Sequence, residues 1–127
     1  ADAIYVSNHG ARQLNAAPPS IDSVAPIRAA IGDGMPLIVD GGVRSGEHVI
    51  KAIASGADFV MIGRSAMYGL GANGADGLSD IIDSFAREAS SVIGLAGKTR
   101  MNDIDANCLA GAHGHEPTAC RTECMKG

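Results

Sequence analysis

Residues 36–46 read PLIVDGGVRSG, the most informative pattern in the sequence for secondary structure. An apolar run over 36–40 leads into a glycine-rich turn and then into a helix that we predict to end at Ser55, with Gly56 as its C-cap. The helix has one apolar face at i, i+3, i+4 spacing, formed by Val49, Ala52 and Ile53. The stretch therefore predicts a buried strand, a tight turn and a covering helix.

The same order of elements continues on both sides of this stretch. Strands are predicted over residues 2–7 and 59–62, and a helix from about Ile21 or Ser23 to Ile31, ended by Gly32, with Pro26 in its first turn. After the third strand we expect a short helix over 66–71 and a long amphipathic helix over 76–95. The stripe of that last helix comprises Leu78, Ile82, Phe85, Ala89 and Val92.

Alternation of near-continuous apolar strands with helices is typical of parallel α/β structure, because parallel strands are covered by helices. Two architectures fit the pattern: a doubly wound open sheet or a section of a (β/α)8 barrel. Periodicity alone does not separate them.

Composition sets limits on size and partners. The 127 residues are 46% hydrophobic but include only 2 Phe, 2 Tyr and no Trp, so one domain with a modest aliphatic core is expected. A net charge of −4 with no basic run argues against nucleic acid as a partner. No membrane segment is predicted, because the apolar runs are far shorter than the roughly 20 residues that span a bilayer.

Residues 7–14, SNHGARQL, follow the first predicted strand directly. His9 is a titratable base and Arg12 a permanent cation, and neither side chain fits the apolar interior of a buried strand. At the strand's exit we expect both to face a ligand. The alternative is an ordinary polar loop that happens to contain both residues.

The second and third strands each end in a glycine turn followed by an arginine. Gly41 and Gly42 let the backbone approach a ligand closely, while Arg44, and Arg64 after Gly63, supply charge and donors. Successive turns of this kind would form one phosphate site at the C-terminal face of a barrel, which favours the barrel over the open sheet. The alternative is a pair of helix-capping turns with exposed arginines.

In this order and spacing, SNHGARQL at 7–14, DGGVRSG at 40–46 and IGR at 62–64 resemble the C-terminal part of the FMN-dependent α-hydroxy-acid oxidase and dehydrogenase family. The resemblance covers about residues 1–105. It implies a TIM barrel of which residues 1–106 represent strands six to eight with their helices, while the first five strands are absent. Ser45 departs from the family, since many relatives have a second arginine there.

The resemblance also implies residue roles. His9 matches the active-site base, and Arg12 matches the arginine that binds the substrate carboxylate. Whether His9 takes the hydroxyl proton during hydride transfer or takes the α-proton stays open. The residues that match the binding site of the FMN cofactor are Asp40, Gly41, Gly42, Arg44, Gly63 and Arg64.

The function implied is FMN-dependent oxidation of a small L-2-hydroxy acid, of lactate, glycolate or mandelate type, to the 2-oxo acid. The family's flavin-contacting lysine and substrate-binding tyrosines come from earlier strands, so this chain alone is expected to lack a complete site and to need the missing part of the barrel. A homotetramer is expected by the same resemblance. Two alternatives remain: another FMN- or phosphate-binding barrel enzyme, and a non-catalytic fragment or assembly module.

Residues 107–127 differ in composition from the rest and are expected to form a polar, flexible tail. Its soft ligands invite a zinc hypothesis, but their spacing matches no strong zinc motif, so no metal is expected. An odd number of cysteines, 3, indicates a reducing compartment, and we predict the cytoplasm. The ligand types in this segment are Cys108, His113, His115, Cys120 and Cys124.

Four other polar side chains are given ordinary structural interpretations. Tyr5 and Tyr68 are expected to be packing residues with satisfied hydroxyl groups. Asp58 is interpreted as a turn residue before a strand. His48 is interpreted as a surface residue on a helix, with no role.

Overall fold

A computed structural model describes residues 1–109 as a three-stranded parallel sheet with helices on one face. The strands are β1 (Ile4–Val6), β2 (Leu37–Val39) and β3 (Phe59–Val60), paired in the order β1-β2-β3. The helices are α1 (Ser20–Ile31), α2 (Gly46–Ala54) and α3 (Arg64–Leu95). The predicted alternation of strand and helix is confirmed, with strands shorter than expected. The prediction of Gly56 as the C-cap of α2 is wrong by one residue, because the helix ends at Ala54 and Ser55 is its C-cap.

The two faces of the sheet have different surroundings. On the covered face, Val6, Leu37 and Val39 are buried against Val24 of α1 and Ala52 of α2. This is the aliphatic core that the composition predicts, because strand residues alternate between faces and only this face meets the helices.

The opposite surface, which we call the open face, comprises Tyr5, Ile38, Phe59 and Met61. Tyr5 pairs in register with Ile38, and Ile38 pairs with Phe59, so these three side chains form a row. Tyr5, Phe59 and Met61 are 50%, 60% and 50% exposed. Within residues 1–109 this apolar surface has no covering element.

The position of Pro26 differs from the prediction. α1 already begins at Ser20, so Pro26 lies in the second turn rather than the first. The helix follows Pro19 directly, and Ser20 Oγ accepts a hydrogen bond from the Asn8 backbone amide at 3.1 Å, which ties the start of α1 to the loop after β1. Pro26 has no backbone N–H, so the Asp22 carbonyl four residues earlier loses its helical hydrogen bond. Both residues are exposed, so water can donate to this carbonyl instead.

α3 contains a chain reversal rather than one straight axis. Asn73 (φ −149°, ψ 32°) and Gly74 (φ 57°, ψ −141°) leave helical geometry and separate the two predicted helices, the first of which begins at Arg64 rather than residue 66. The two segments meet so closely that a Cβ on Gly77 would lie 2.1 Å from the carbonyl oxygen of Gly69. No helix in residues 1–109 is long and apolar enough to cross a membrane.

The stripe predicted for the second segment of α3 is wrong at Ile82, which is 52% exposed. Ile81 faces inward instead, because it packs at Gly69 across the reversal and this contact sets the rotation of the helix. Further along, Ala89 joins Ile50, Ala54 and Ile104 in a second buried cluster between α2 and α3.

Arg28 joins the other end of the sheet to the helices. Its guanidinium donates to the carbonyl oxygens of Gly56 at 2.8 Å and Gly32 at 2.7 Å, and it pairs with the Asp58 carboxylate. Asp58 in turn accepts from the Leu37 amide at 2.7 Å. The interpretation of Asp58 as a turn residue is therefore incomplete, because it bridges α1 and β2.

We expect Gly46→Ala to destabilise the fold. A Cβ at Gly46 would lie 2.3 Å from both the Ala89 nitrogen and the Phe85 carbonyl oxygen, so α2 must move away from α3. The expected loss is about 1–3 kcal/mol in the free energy of unfolding, measured by urea denaturation. Gly94→Ala is the matched control, because its Cβ would meet nothing within 4 Å. Equal stabilities of the two variants would contradict the close contact.

Candidate functional site

Three consecutive loops meet at the carboxyl edge of the sheet. Because all three strands are parallel, the loops after β1, β2 and β3 leave from the same edge. His9 and Arg12 lie in the first loop and residues 40–45 in the second, while Gly63 ends the third and Arg64 is the first residue of α3. All residues predicted for the site are thus at one end of the molecule.

The loop after β1 has a strained backbone. His9 (φ 53°), Gly10 (φ 65°) and Ala11 (φ 61°) are all left-handed, a conformation that costs roughly 1–2 kcal/mol for a residue with a Cβ. Two side chains hold it: Ser7 Oγ accepts from the His9 amide at 3.1 Å, and Asn8 Oδ1 accepts from the Gly10 amide at 3.0 Å. Strain of this kind is typical of functional sites.

The side chains of His9 and Arg12 are exposed and unengaged within the described chain. Among residues 1–109, neither side chain makes a hydrogen bond or an ion pair. Two cavities near this edge are lined by other residues. The structure therefore brings His9 and Arg12 to the predicted edge with both side chains exposed.

The first and second loops touch at Gly41. Its φ is +93°, and a Cβ there would lie 2.8 Å from Ser20 Oγ and 3.0 Å from Asn8 Oδ1. Glycine is thus required by both backbone angle and space. Sequence reasoning missed Asn8 and Ser20 as the residues that set the spacing of the two loops.

Asp40 is the acidic group of the site. Its Oδ2 accepts a hydrogen bond from the Tyr5 hydroxyl, while its Oδ1 is buried and has no partner within the described residues. The pKa of Tyr5 is raised, chiefly because the hydroxyl donates to Asp40, with burial and the Asp40 charge adding to the effect. The prediction of a satisfied Tyr5 hydroxyl is confirmed, although the ring itself is half exposed.

The two predicted arginines come together across the second and third loops. Arg44 and Arg64 line one cavity of about 450 Å³, with Ser65 and Tyr68. Ser65 Oγ donates to the Val43 carbonyl at 3.2 Å and so fixes the spacing of the loops. Tyr68 is 72% exposed, so its interpretation as a packing residue is wrong in this structure.

The amides at the N-termini of α2 and α3 differ in their availability. At α2 the Gly46 amide donates to Glu88 Oε2 at 2.7 Å and the His48 amide to Ser45 Oγ at 3.3 Å. At α3 no side chain caps the first amides, because the N-cap residue is Gly63. Of these two termini, that of α3 is the one free for an anion, and the two arginines also lie there.

His48 and Ser45 have roles that their surface positions do not suggest. His48 is exposed, as predicted, but its Nδ1 accepts from the Arg44 amide at 3.2 Å and steadies the arginine's backbone. Ser45 is the N-cap of α2. The residue that departs from the family pattern thus begins a helix here.

Of the five residues that invited the zinc hypothesis, only Cys108 lies within the described residues. It is partly buried against the second cluster, and its Sγ lies 3.7 Å from Asp105 Oδ1. Residues 1–109 contain no group of three His, Cys, Asp or Glu side chains placed to hold a metal. The other four ligand types fall outside the described part.

A parallel sheet with two arginines above an uncapped helix N-terminus is the arrangement of phosphate-binding α/β proteins. The sequence profile of the FMN-dependent dehydrogenases matches residues 1–111. The chain belongs to this family, and the resemblance identified from the sequence is confirmed.

Sequence relatives carry several hydroxy-acid activities in their names. The chain is 43% identical to an L-lactate oxidase of Lentilactobacillus hilgardii, covering 82% of this chain and 28% of the relative. It is 46% identical to a 4-hydroxymandelate oxidase of Amycolatopsis orientalis, covering 76% of this chain and 27% of that relative. A peroxisomal (S)-2-hydroxyacid oxidase of Arabidopsis thaliana is 42% identical, and the match covers 84% of this chain and 29% of that relative.

Solved structures give the same picture. A mandelate oxidase variant with a monooxide FMN adduct superposes with a TM-score of 0.79 at 43% identity, covering 82% of this chain and 33% of that one. A monotopic membrane protein, (S)-mandelate dehydrogenase, gives a TM-score of 0.83 at 31% identity, covering 87% and 29%. The chain thus spans about a third or less of the length of these relatives.

Proposed function

We propose that this chain is the C-terminal section, strands six to eight, of a TIM barrel that oxidises a small L-2-hydroxy acid to the 2-oxo acid with FMN. The observation that carries the proposal is the shared edge: the His9 and Arg12 loop lies beside the loops that bear Arg44 and Arg64. By the same resemblance we propose a cytoplasmic homotetramer.

The open face supports the assignment to a barrel section. Parallel sheets are normally covered on both sides, whereas here half-exposed Tyr5, Phe59 and Met61 project from one side without cover from residues 1–109. In a (β/α)8 barrel this side would face the interior, where layers of side chains from the other strands fill the space. The remaining strands would therefore both cover this surface and complete the site.

The residues at the carboxyl edge fit FMN. Its phosphate dianion suits the cavity that Arg44 and Arg64 line beside the uncapped terminus of α3. Its ribityl hydroxyl groups are donors for the buried Asp40 Oδ1, which needs a partner. When bound, the flavin would accept the two electrons that leave the substrate.

His9 and Arg12 supply the remaining chemistry of the proposed reaction. An imidazole can accept a proton near neutral pH, so His9 is assigned the role of the base that removes a proton from the substrate. The permanent charge and forked donors of Arg12 suit a carboxylate. Both side chains are exposed at the edge and unengaged within residues 1–109, as ligand-contacting groups should be.

The test uses what we call the completed protein: this chain joined to the N-terminal part of the Lentilactobacillus hilgardii L-lactate oxidase. We expect it to bind FMN and, without oxygen, to lose flavin absorbance when L-lactate is added. Bound FMN without reduction by lactate, glycolate or mandelate would support a different FMN barrel enzyme. Soluble protein that binds no FMN would support a non-catalytic module.

In the completed protein, Arg12→Lys is expected to raise KM about tenfold or more, with a smaller effect on kcat. An ammonium group keeps the charge but cannot donate two parallel hydrogen bonds to a carboxylate, and a hydrogen bond to a charged group is worth about 1.5–3 kcal/mol. Steady-state kinetics measure the effect. Arg87→Lys on the exposed side of α3 is the control, and an unchanged KM would remove Arg12 from the carboxylate site.

A further inference from the structure

We propose that Tyr5 is a positioning residue of the cofactor site: its hydroxyl holds one oxygen of Asp40, so that the other oxygen is presented to a ribityl hydroxyl of FMN. The inference rests on the proposed function. It assigns a role to a residue that sequence reasoning treated as packing.

The sheet register explains how Tyr5 reaches Asp40. Tyr5 pairs with Ile38, and Asp40 lies two residues beyond Ile38, so all three side chains are on the open face. The tyrosine side chain is long enough to reach this diagonal neighbour, and its hydroxyl donates to Asp40 Oδ2. The Asp40 amide donates to the Val6 carbonyl at 3.1 Å, which fixes the aspartate backbone to β1.

The two oxygens of Asp40 have different environments. Oδ2 accepts from the Tyr5 hydroxyl, while Oδ1 is buried without a donor from the described residues. An unpaired buried acceptor costs roughly 1–3 kcal/mol, so this oxygen is placed for a donor that residues 1–109 do not supply. The flavin polyol, whose phosphate would lie by the neighbouring arginines, supplies such donors.

The hydroxyl of Tyr5 is suited to a fixed donating role. Its pKa is raised, first by donation to Asp40, then by burial and by the aspartate charge, while Ser7 opposes the shift. The phenol therefore remains protonated throughout the neutral range and can always donate. If Tyr5 did not hold Oδ2, the carboxylate could rotate and Oδ1 would lose its orientation.

The experiment compares three flavins on the completed protein without cofactor: FMN, riboflavin, which lacks the phosphate, and lumiflavin, which lacks the ribityl chain. Dissociation constants are measured by quenching of flavin fluorescence. We expect Tyr5→Phe to weaken FMN and riboflavin about three- to tenfold and to leave lumiflavin unchanged, because only the polyol meets Asp40. Equal weakening of all three flavins would indicate a purely structural role and overturn the proposal, as would no change in any.

A double-mutant cycle tests the route through Asp40. If Tyr5 acts only by holding the carboxylate, Tyr5→Phe should add nothing in an Asp40→Ala background. Additive losses would overturn the proposal. Thr99→Val is the matched control, because Thr99 Oγ1 likewise donates to a carboxylate, that of Asp103, at 3.5 Å.

Two further results keep the test decisive. Should Tyr5→Phe fail to fold, Tyr5→Leu keeps an apolar side chain with no hydrogen-bond donor and must show the same loss of riboflavin affinity with lumiflavin affinity unchanged. If the unmutated completed protein binds no FMN, the proposed function fails. If it binds FMN and the tyrosine variants do so equally well, only the role of Tyr5 fails.

Discussion

His9→Gln in the completed protein is expected to retain FMN and to lower the rate of flavin reduction by L-lactate roughly 10²–10⁴-fold, the usual contribution of a positioned base. Glutamine is similar in reach and can hydrogen-bond, but it cannot take a proton. Glutamine has a Cβ, as histidine does, so the substitution leaves the backbone strain at this left-handed position unchanged. Anaerobic stopped-flow spectroscopy measures the rate.

Gln13→Ala is the control for this prediction, since it removes another exposed polar side chain close to the same loop. It should leave the reduction rate within a few-fold of the unmutated protein. Fast reduction in His9→Gln would show that a different group takes the proton. Loss of FMN in His9→Gln would instead show that His9 supports the cofactor site.

The parts of the fold that the sequence predicts correctly are those set by neighbouring residues along the chain. Short apolar runs predict the strands, and Gly32, with φ +63°, predicts the end of α1. For α2 the glycine signal is one residue late, because the C-cap is Ser55 and Gly56, with φ +106°, follows it. Errors arose where a distant contact decides. The start of α1 is tied to the loop after β1 by Asn8 meeting Ser20, and the inward face of α3 depends on Ile81 meeting Gly69.

The site divides in the same way. Parallel strands bring successive loops together, so the placement of Arg44 and Arg64 on one cavity could be predicted from order alone. The Tyr5 hydrogen bond to Asp40 joins residues 35 apart. It depends on the strand register, which the sequence pattern does not specify. The cap that Glu88 gives to Gly46 spans 42 residues and left no signal in the sequence.

Replacing both Arg44 and Arg64 by methionine is expected to weaken FMN binding by roughly 10²–10⁴-fold. Each hydrogen bond to a charged group is worth about 1.5–3 kcal/mol, and about 1.4 kcal/mol corresponds to a tenfold change in affinity. The range counts one such hydrogen bond from each of the two guanidinium groups that line the cavity. Fluorescence titration of the protein without cofactor measures the change, and Arg87→Met controls for the loss of a surface charge.

Riboflavin makes this test specific, because it lacks the phosphate that the two arginines are proposed to hold. Its affinity should be nearly the same in the double variant and the unmutated protein, whereas the affinity of FMN should fall. The advantage of FMN over riboflavin should also shrink as salt concentration rises, since exposed charges are screened. If both flavins lose affinity equally, the arginines stabilise the loops, and the phosphate site must lie elsewhere on the carboxyl edge.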